Sequence, residues 1–225
     1  MSSSAQPIDR IRERISQAAD GRQVDLLAVS KTRSDIEVRA LAESSGQRAF
    51  GENYVQEAMA KREALADLGP VWHLIGHLQS NKCREAAETF DWIDSIDRAK
   101  LIAPLARFRP ADRAPLNLLI QVNIDDEDSK SGCRPDQIEA LAAAIAAESR
   151  LKLRGLMAIP APGDPASLRR AFAAMRQLFE RLRATHRDAD TLSMGMSDDF
   201  ELAIAEGATQ VRIGTALFGP RPGKS

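Results

Sequence analysis

The chain has 225 residues, 44% hydrophobic and 28% charged, with Lys+Arg 31 against Asp+Glu 32 and a formal net charge of −1. That balance excludes the basic excess that nucleic acids or anionic membranes select, and the mixture is that of a globular chain, not a disordered one. No apolar run reaches the roughly 20 residues of a membrane span, and the polar start Met1 to Ala5 is not a secretory signal. Cys83 and Cys133 are too few and too far apart for a disulfide framework or a zinc site, and read as two reduced thiols of a cytoplasmic protein.

Residues 7–19 read as a helix, because Ile8, Ile11 and Ile15 fall on one stripe among charged residues. VDLLAVS (24–30) is an apolar run of strand length. Helix returns at 34–45, with Ser34 or Asp35 as N-cap. RAFGEN (48–53) is a second strand, followed by a helix over 54–67 whose inward residues are expected to be Val55, Met59 and Ala66. VWHLIGH (71–77) is the third strand, 80–90 a helix, and WIDSID (92–97) the fourth strand. A helix over 98–108 turns Leu101, Leu105 and Phe108 to one side, and LNLLIQVNI (116–124) is a buried strand. Residues 135–148 are helical, with Pro135 in the first turn. LKLRGLMAIP (151–160) is a strand. The clearest helix runs over 166–186, where Leu168, Phe172, Met175, Phe179 and Leu182 follow one another at spacings of four and three. TLSMGMS (191–197) is a strand, 198–206 a short helix, and TQVRIGTALFG (209–219) opens with strand.

Strands alternating with helices mean βαβ units and a parallel sheet. Eight such units predict a single (β/α)8 TIM barrel with an extra N-terminal helix, occupying 1–225 as one domain. A doubly wound open sheet is the rival, weakened by the lack of a G-x-G-x-x-G turn after the first strand.

Chemistry in such a barrel sits at the C-terminal strand ends. Those ends carry Lys31, then Glu52 and Asn53, His77 with Gln79, Asp94 and Ser95, Asn123, Met157 to Pro160, Ser197, and Arg212 with Gly214 and Thr215. Lys31 follows LLAVS directly. Either the strand holds it partly desolvated, which favours the neutral, nucleophilic amine used in Schiff-base chemistry, or it passes the rim into solvent. MGMS leads into a helix and RIGT ends the eighth strand. Ser197, Gly214 and Thr215 therefore suit a phosphate, although Ser197 also suits a plain helix cap and Asp198 and Asp199 would repel an anion they faced. Arg212, inside a strand, either meets a buried acid or faces a ligand. His73 and His77 share one face of a strand without a third metal ligand. Trp72 and Trp92 read as core or barrel wall.

Six ordered blocks, AVSKTR (28–33), FGENYVQE (50–57), WHLIGHLQSNK (72–82), VNI with a following KSG (122–132), GLMAIP (155–160) and MGMSDDFELAIAEGATQVRIGTALFG (194–219), resemble the pyridoxal phosphate homeostasis protein family. Its members are single barrels similar to the N-terminal domain of alanine racemase; they bind pyridoxal 5′-phosphate (PLP) in vitamin B6 homeostasis and have no established catalysis. The resemblance implies that Lys31 carries PLP as a covalent aldimine. It implies that Ser197, Gly214 and Thr215 hold the phosphate, that Arg212 faces the pyridine nitrogen, and that Asn53 and Met157 line the pocket. Lys130 would contribute a basic lip, in a loop made acidic by residues 125–128.

An arginine at the ring nitrogen opposes its protonation, and an unprotonated ring is a poor electron sink. With only six residues after Gly219, no second domain is expected to supply an acid/base. Both favour a non-catalytic, monomeric carrier whose partners are PLP and, as recipients, PLP-dependent apoenzymes. The alternative is a small PLP-dependent amino-acid racemase, with His77 as a displaced second acid/base. A third reading is a cofactor-free phosphate-binding isomerase using Lys31 and Glu52. The short tail GPRPGKS has no evident role in releasing PLP.

Overall fold

The structure, a computed structural model, describes residues 6–125 and 131–219. Helix α1 (Pro7–Ala19) comes first, followed by β1 (Asp25–Val29), α2 (Asp35–Ser45), β2 (Ala49–Glu52), α3 (Val55–Ala64), β3 (Val71–Leu74) and α4 (Cys83–Thr89). Then come β4 (Trp92–Ile96), α5 (Ile102–Phe108), β5 (Leu116–Val122), α6 (Ile138–Ala146), β6 (Leu151–Ala158) and α7 (Pro165–Thr185). The order ends with β7 (Thr191–Ser193), α8 (Phe200–Ala205), β8 (Gln210–Ile213) and the one-turn α9 (Thr215–Phe218). Each strand pairs in parallel with the next, and β8 returns to β1, so the sheet closes into an eight-stranded barrel. This is the predicted TIM barrel, with α1 as the extra helix.

Local chemistry sets the helix starts. Ser34 caps α2 reciprocally: its Oγ accepts from the Glu37 backbone N–H at 3.2 Å, and Glu37 Oε2 accepts from the Ser34 N–H at 2.8 Å. Asp164 caps α7 by accepting from the N–H groups of Ala166 and Ser167, with Pro165 in the first turn. Helix α7 then buries Phe172, Met175, Leu178, Phe179 and Leu182, each contributing about 1.5–3 kcal/mol. Gly155 in β6 sits at φ +144°, and a Cβ there would stand 1.9 Å from the Thr191 carbonyl oxygen, so only glycine lets β7 approach.

The main core lies between the sheet and the helices: Ile8, Ile11 and Ile15 of α1, Val38 of α2, the tilted pair Phe50 and Trp72, and the α7 stripe. Leu27, Leu119 and Met157 are buried apart from it, inside the barrel. Interior positions also include His73, Asp94, Ser193 and Arg212, all buried. The outer face of the sheet is thus buried against apolar helix stripes, whereas the interior mixes apolar residues with buried polar and charged ones.

Several boundaries move inward from the sequence expectation. Strand β3 ends at Leu74, so His77 is outside it and does not share its face with His73; His77 is half-exposed and pairs with Asp97, Nδ1 to Oδ2 3.5 Å. The buried positions of α3 are Val55, Ala58 and Lys61, and Leu65 follows, whereas Met59 and Ala66 are exposed. The stripe shifted because a lysine occupies one of its positions. No helix among the described residues is long and apolar enough to cross a membrane.

Candidate functional site

Lys31 stands two residues past β1, half-buried, in the turn Ser30–Lys31–Thr32–Arg33. The Arg33 N–H donates to the Ser30 carbonyl at 3.0 Å and closes the turn. Thr32 lies in the left-handed region at φ +65°, a costly place for a β-branched residue. Behind the turn, on α3, Lys61 is buried: its Nζ donates to the Ser30 carbonyl, Glu52 Oε1 and Glu57 Oε1, each at 2.7 Å. Glu57 Oε1 also accepts from the Thr32 N–H at 2.7 Å, and Glu52 Oε1 from Ser30 Oγ at 2.5 Å. Burial pushes Glu52 up to about 7 despite Lys61 and Ser30, and its Oε2 has no hydrogen-bond partner among the described residues. Arg33 donates to the Gly219 carbonyl and lies over the Phe218 ring, tying the turn to α9.

Strand β8 runs beside β1, with Leu27 opposite Arg212 and Ala28 opposite Ile213. Gly214 and Thr215 therefore end β8 on the same rim as Lys31. Gly214 caps α9, and a Cβ there would press on Val29 at 3.4 Å. Arg212 is buried below them and donates to Ser193 Oγ and the Ala158 carbonyl, both at 2.8 Å. Burial pushes its guanidinium down to about 10, against Asp94 and Asp199. The sequence left Arg212 between an acid and a ligand; its hydrogen bonds here go to neutral groups, with Asp94 as a nearby charge.

Ser197 sits in the turn between β7 and α8, but the cap of α8 is Asp199, not Ser197. Asp199 Oδ1 accepts from the Met196 N–H at 2.6 Å, so that carboxylate is engaged inside its own turn. Asn53 follows β2, half-buried, and its backbone approaches so closely that a Cβ on Gly76 would meet its carbonyl oxygen at 2.2 Å. Met157 lies in β6, fully buried, between Gln121 of β5 and Ser193 of β7. Lys31, Asn53, Ser197, Gly214 and Thr215 thus share the C-terminal rim, with Met157 and Arg212 below it. Lys130, most of the acidic stretch before it and the tail after Gly219 lie outside the described residues.

Asp94 departs from its expected place on the rim. It is fully buried and pairs with His73 Nδ1 at 3.1 Å. His73 stacks on Trp92 with centroids 5.0 Å apart, and Arg154 covers the same indole at 4.6 Å. This layer faces the other end of the barrel, where a cavity of about 890 Å³ is lined by Arg12, Arg48, His73, Trp92, Arg154 and Gln210. This cavity is therefore remote from the lysine rim. Burial raises both thiols, Cys133 to about 12, so neither is a poised nucleophile. No group of three or more metal-ligating side chains occurs among the described residues.

Sequence reasoning missed Glu57 and Lys61. Their four-residue spacing, beginning four residues after GEN, was a signal, but the stripe assigned to α3 left no place for a buried lysine.

A closed parallel barrel with a lysine turn after its first strand and a buried arginine in its eighth defines a distinct class within the (β/α)8 fold. The family model of the alanine racemase N-terminal domain matches residues 7–222. The pyridoxal phosphate homeostasis protein of Pseudomonas aeruginosa is 52% identical, covering 98% of this chain and 97% of its own length. That of Escherichia coli K12 is 50% identical, covering 98% of each. Among solved structures, PipY of Synechococcus elongatus PCC7942 with PLP bound is 39% identical, with a TM-score of 0.80 over 93% of this chain and 100% of that one. The chain belongs to the pyridoxal phosphate homeostasis protein family, within the wider alanine racemase N-terminal domain family.

Proposed function

We propose that this chain binds PLP and serves its homeostasis in the cytoplasm, as one monomeric barrel spanning 1–225. Lys31 holds the aldehyde as a Schiff base; Ser197, Gly214 and Thr215 receive the phosphate; Arg212 faces the ring nitrogen; and Asn53 and Met157 line the pocket. The reading rests chiefly on the pairing of β1 with β8, which sets the Lys31 turn beside Gly214 and above the buried Arg212.

The donor set suits the three polar ends of PLP. An amine-bearing turn can meet an aldehyde. Two hydroxyls and a residue without a side chain, at the start of a helical turn, can meet a phosphate. A buried cation whose hydrogen bonds go to neutral groups can donate to a pyridine nitrogen. Engagement of Asp199 by the Met196 N–H lessens the repulsion that an anion would otherwise meet there.

When bound, PLP supplies a reactive aldehyde and an electron-withdrawing ring. Arg212 limits the second property, because a guanidinium does not give up its proton to a pyridine and its charge opposes protonation of the ring. We therefore read the chain as a carrier or buffer of the aldehyde and not as a racemase, with PLP-dependent apoenzymes as recipients. His77, the displaced acid/base candidate, is half-exposed and paired with Asp97, and Tyr54 is exposed at the start of α3. Neither is held in place to serve as a second acid/base.

The test is the visible spectrum of the purified protein, followed by borohydride reduction and peptide mapping. A yellow protein with the pyridoxyl group on Lys31 is expected, and Lys31→Ala should abolish the adduct while phosphate still binds. A protein that stays colourless and unmodified with added PLP overturns the reading. Arg212→Glu should shift the absorbance by permitting ring protonation; an unchanged spectrum removes Arg212 from the ring nitrogen. Racemisation of alanine by the same sample at an enzyme's rate would restore the racemase reading.

A further inference from the structure

The turn that carries Lys31 is held from behind by charged groups with no role in the site as described. Both peptide units flanking Lys31 are pinned. The carbonyl on its N-terminal side, that of Ser30, accepts from Lys61 Nζ at 2.7 Å, and the N–H on its C-terminal side, that of Thr32, donates to Glu57 Oε1 at 2.7 Å. Glu57 and Lys61 are four apart on α3, hence on one face, and bond to each other at 2.7 Å. Glu52 lies between Lys61 and the Ser30 hydroxyl, so β1, β2 and α3 are fastened at one point.

This arrangement is expensive. Lys61 and Glu52 are almost completely removed from water, and burying an ion pair costs several kcal/mol per ion before its attraction is counted. Thr32 adds the cost of a β-branched residue at φ +65°. A well-packed apolar pair of similar volume would hold α3 against β2 as well or better. What an apolar pair cannot do is bond to the Ser30 carbonyl and the Thr32 N–H, which fix the backbone on either side of one lysine.

We infer that Glu57 and Lys61, supported by Glu52, are positioning residues for Lys31. They hold the 30–33 turn in its left-handed conformation and so set where the amine meets a carbonyl ligand. The inference rests on the reading of Lys31 as the site of PLP attachment. In that attachment the neutral amine adds to the aldehyde carbon, a C=N bond replaces C=O, and the oxygen leaves as water with the two protons the nitrogen gives up, so its rate depends on how the amine is presented. Binding of the ring and phosphate does not depend on Lys31 and should be insensitive to the clamp.

The experiment follows PLP capture by the apoprotein in the wild type, Glu57→Gln, Lys61→Met and Lys61→Arg, by visible absorbance and borohydride trapping. Affinity for pyridoxine 5′-phosphate, which lacks the aldehyde, is measured on the same samples. Glu57→Gln is isosteric and partly exposed, so it remains informative if Lys61→Met fails to fold. Glu57→Gln is expected to slow labelling of Lys31 about tenfold, the scale of one charge-assisted hydrogen bond. Pyridoxine 5′-phosphate affinity should be unchanged, and Lys61→Arg should retain more of the rate than Lys61→Met. Adding Thr32→Gly to Glu57→Gln should recover the rate, because glycine adopts the left-handed turn without help. Unchanged capture in both Glu57→Gln and Lys61→Met overturns the inference, as does a parallel loss of capture and pyridoxine 5′-phosphate affinity, which would mark a merely structural role. Absence of labelling on Lys31 in the wild type overturns the reading of the site as well.

Discussion

The two ends of the barrel use charge in opposite ways. At the C-terminal rim, charged groups address a turn and an open face: Lys61 and Glu57 fix the backbone beside Lys31, and Arg212 presents its guanidinium from below. At the N-terminal mouth, arginines address helix ends. Arg12 donates to the Ser45 carbonyl and Arg48 to that of Ala42, at the C-terminus of α2; Arg22 donates to Ile204 in α8. Arg62, Arg109 and Arg113 donate to Thr89, Ala87 and Glu88 in the last turn of α4. In a βα barrel every helix runs back toward the mouth, so unpaired carbonyls and the negative dipole ends gather there while the N–H ends gather at the rim. The mouth, with its 890 Å³ cavity, engages Arg12 and Arg48 at the end of α2 and Arg154 with Asp190 and Trp92.

This contrast is breakable. The largest expected effect is at the mouth. Arg109→Met strands the carbonyls of Ala87, Phe90 and Ala114 and should cost roughly 3–5 kcal/mol in urea unfolding. PLP affinity of the folded fraction should be unchanged, and a selective loss of affinity would erase the division between the ends.

Next comes the buried acid behind the rim. Glu52 titrates at about 7 when folded, above its ordinary value of 4.5. The folded state therefore binds the proton more tightly than the unfolded chain, and the stability this supplies is full below about pH 4.5 and lost as the pH rises through about 7, by up to about 3 kcal/mol. Unfolding free energies measured between about pH 5 and about pH 8 should fall in the wild type and run flatter in Glu52→Gln. Equal slopes would remove Glu52 from this account.

A smaller change is expected at the phosphate end. Ser197→Ala should weaken PLP binding by about 1 kcal/mol, roughly fivefold, with unfolding stability unaltered. An unfolding loss without an affinity loss would make Ser197 a structural turn residue. The smallest effect is expected for Arg48→Met, whose bonds to the Ala42 and Gln47 carbonyls are only part-buried: about 0.5–1 kcal/mol of stability and no change in the bound spectrum.

The alternation of apolar runs with 3.6-residue stripes was enough for the barrel, because each strand and helix carries its own period and eight repeats admit few closed arrangements. The positions of Lys31 after β1 and Gly214 after β8 were equally legible, since both follow short strands whose ends are marked by polar residues. Less was legible wherever a residue's partner lies far along the chain. The pattern of WIDSID puts Asp94 on the rim, yet its partner is His73 on the preceding strand β3, and both are buried inside the barrel. His77 was paired with His73 by a strand that ends at Leu74. Met59 and Ala66 were turned inward because Lys61, a charged residue on the buried stripe, breaks the pattern that periodicity reads.

Periodicity and local capping thus decide which segments are strands and helices and in what order they come, because both depend on residues a few positions apart. Closure of the sheet decides the rest: that β8 lies against β1, that Arg212 is desolvated under the lysine turn, and that Lys61 and Glu57 reach back to the peptides around Lys31. These depend on distances between segments remote in sequence, and on the loss of water around charges, which no linear pattern records.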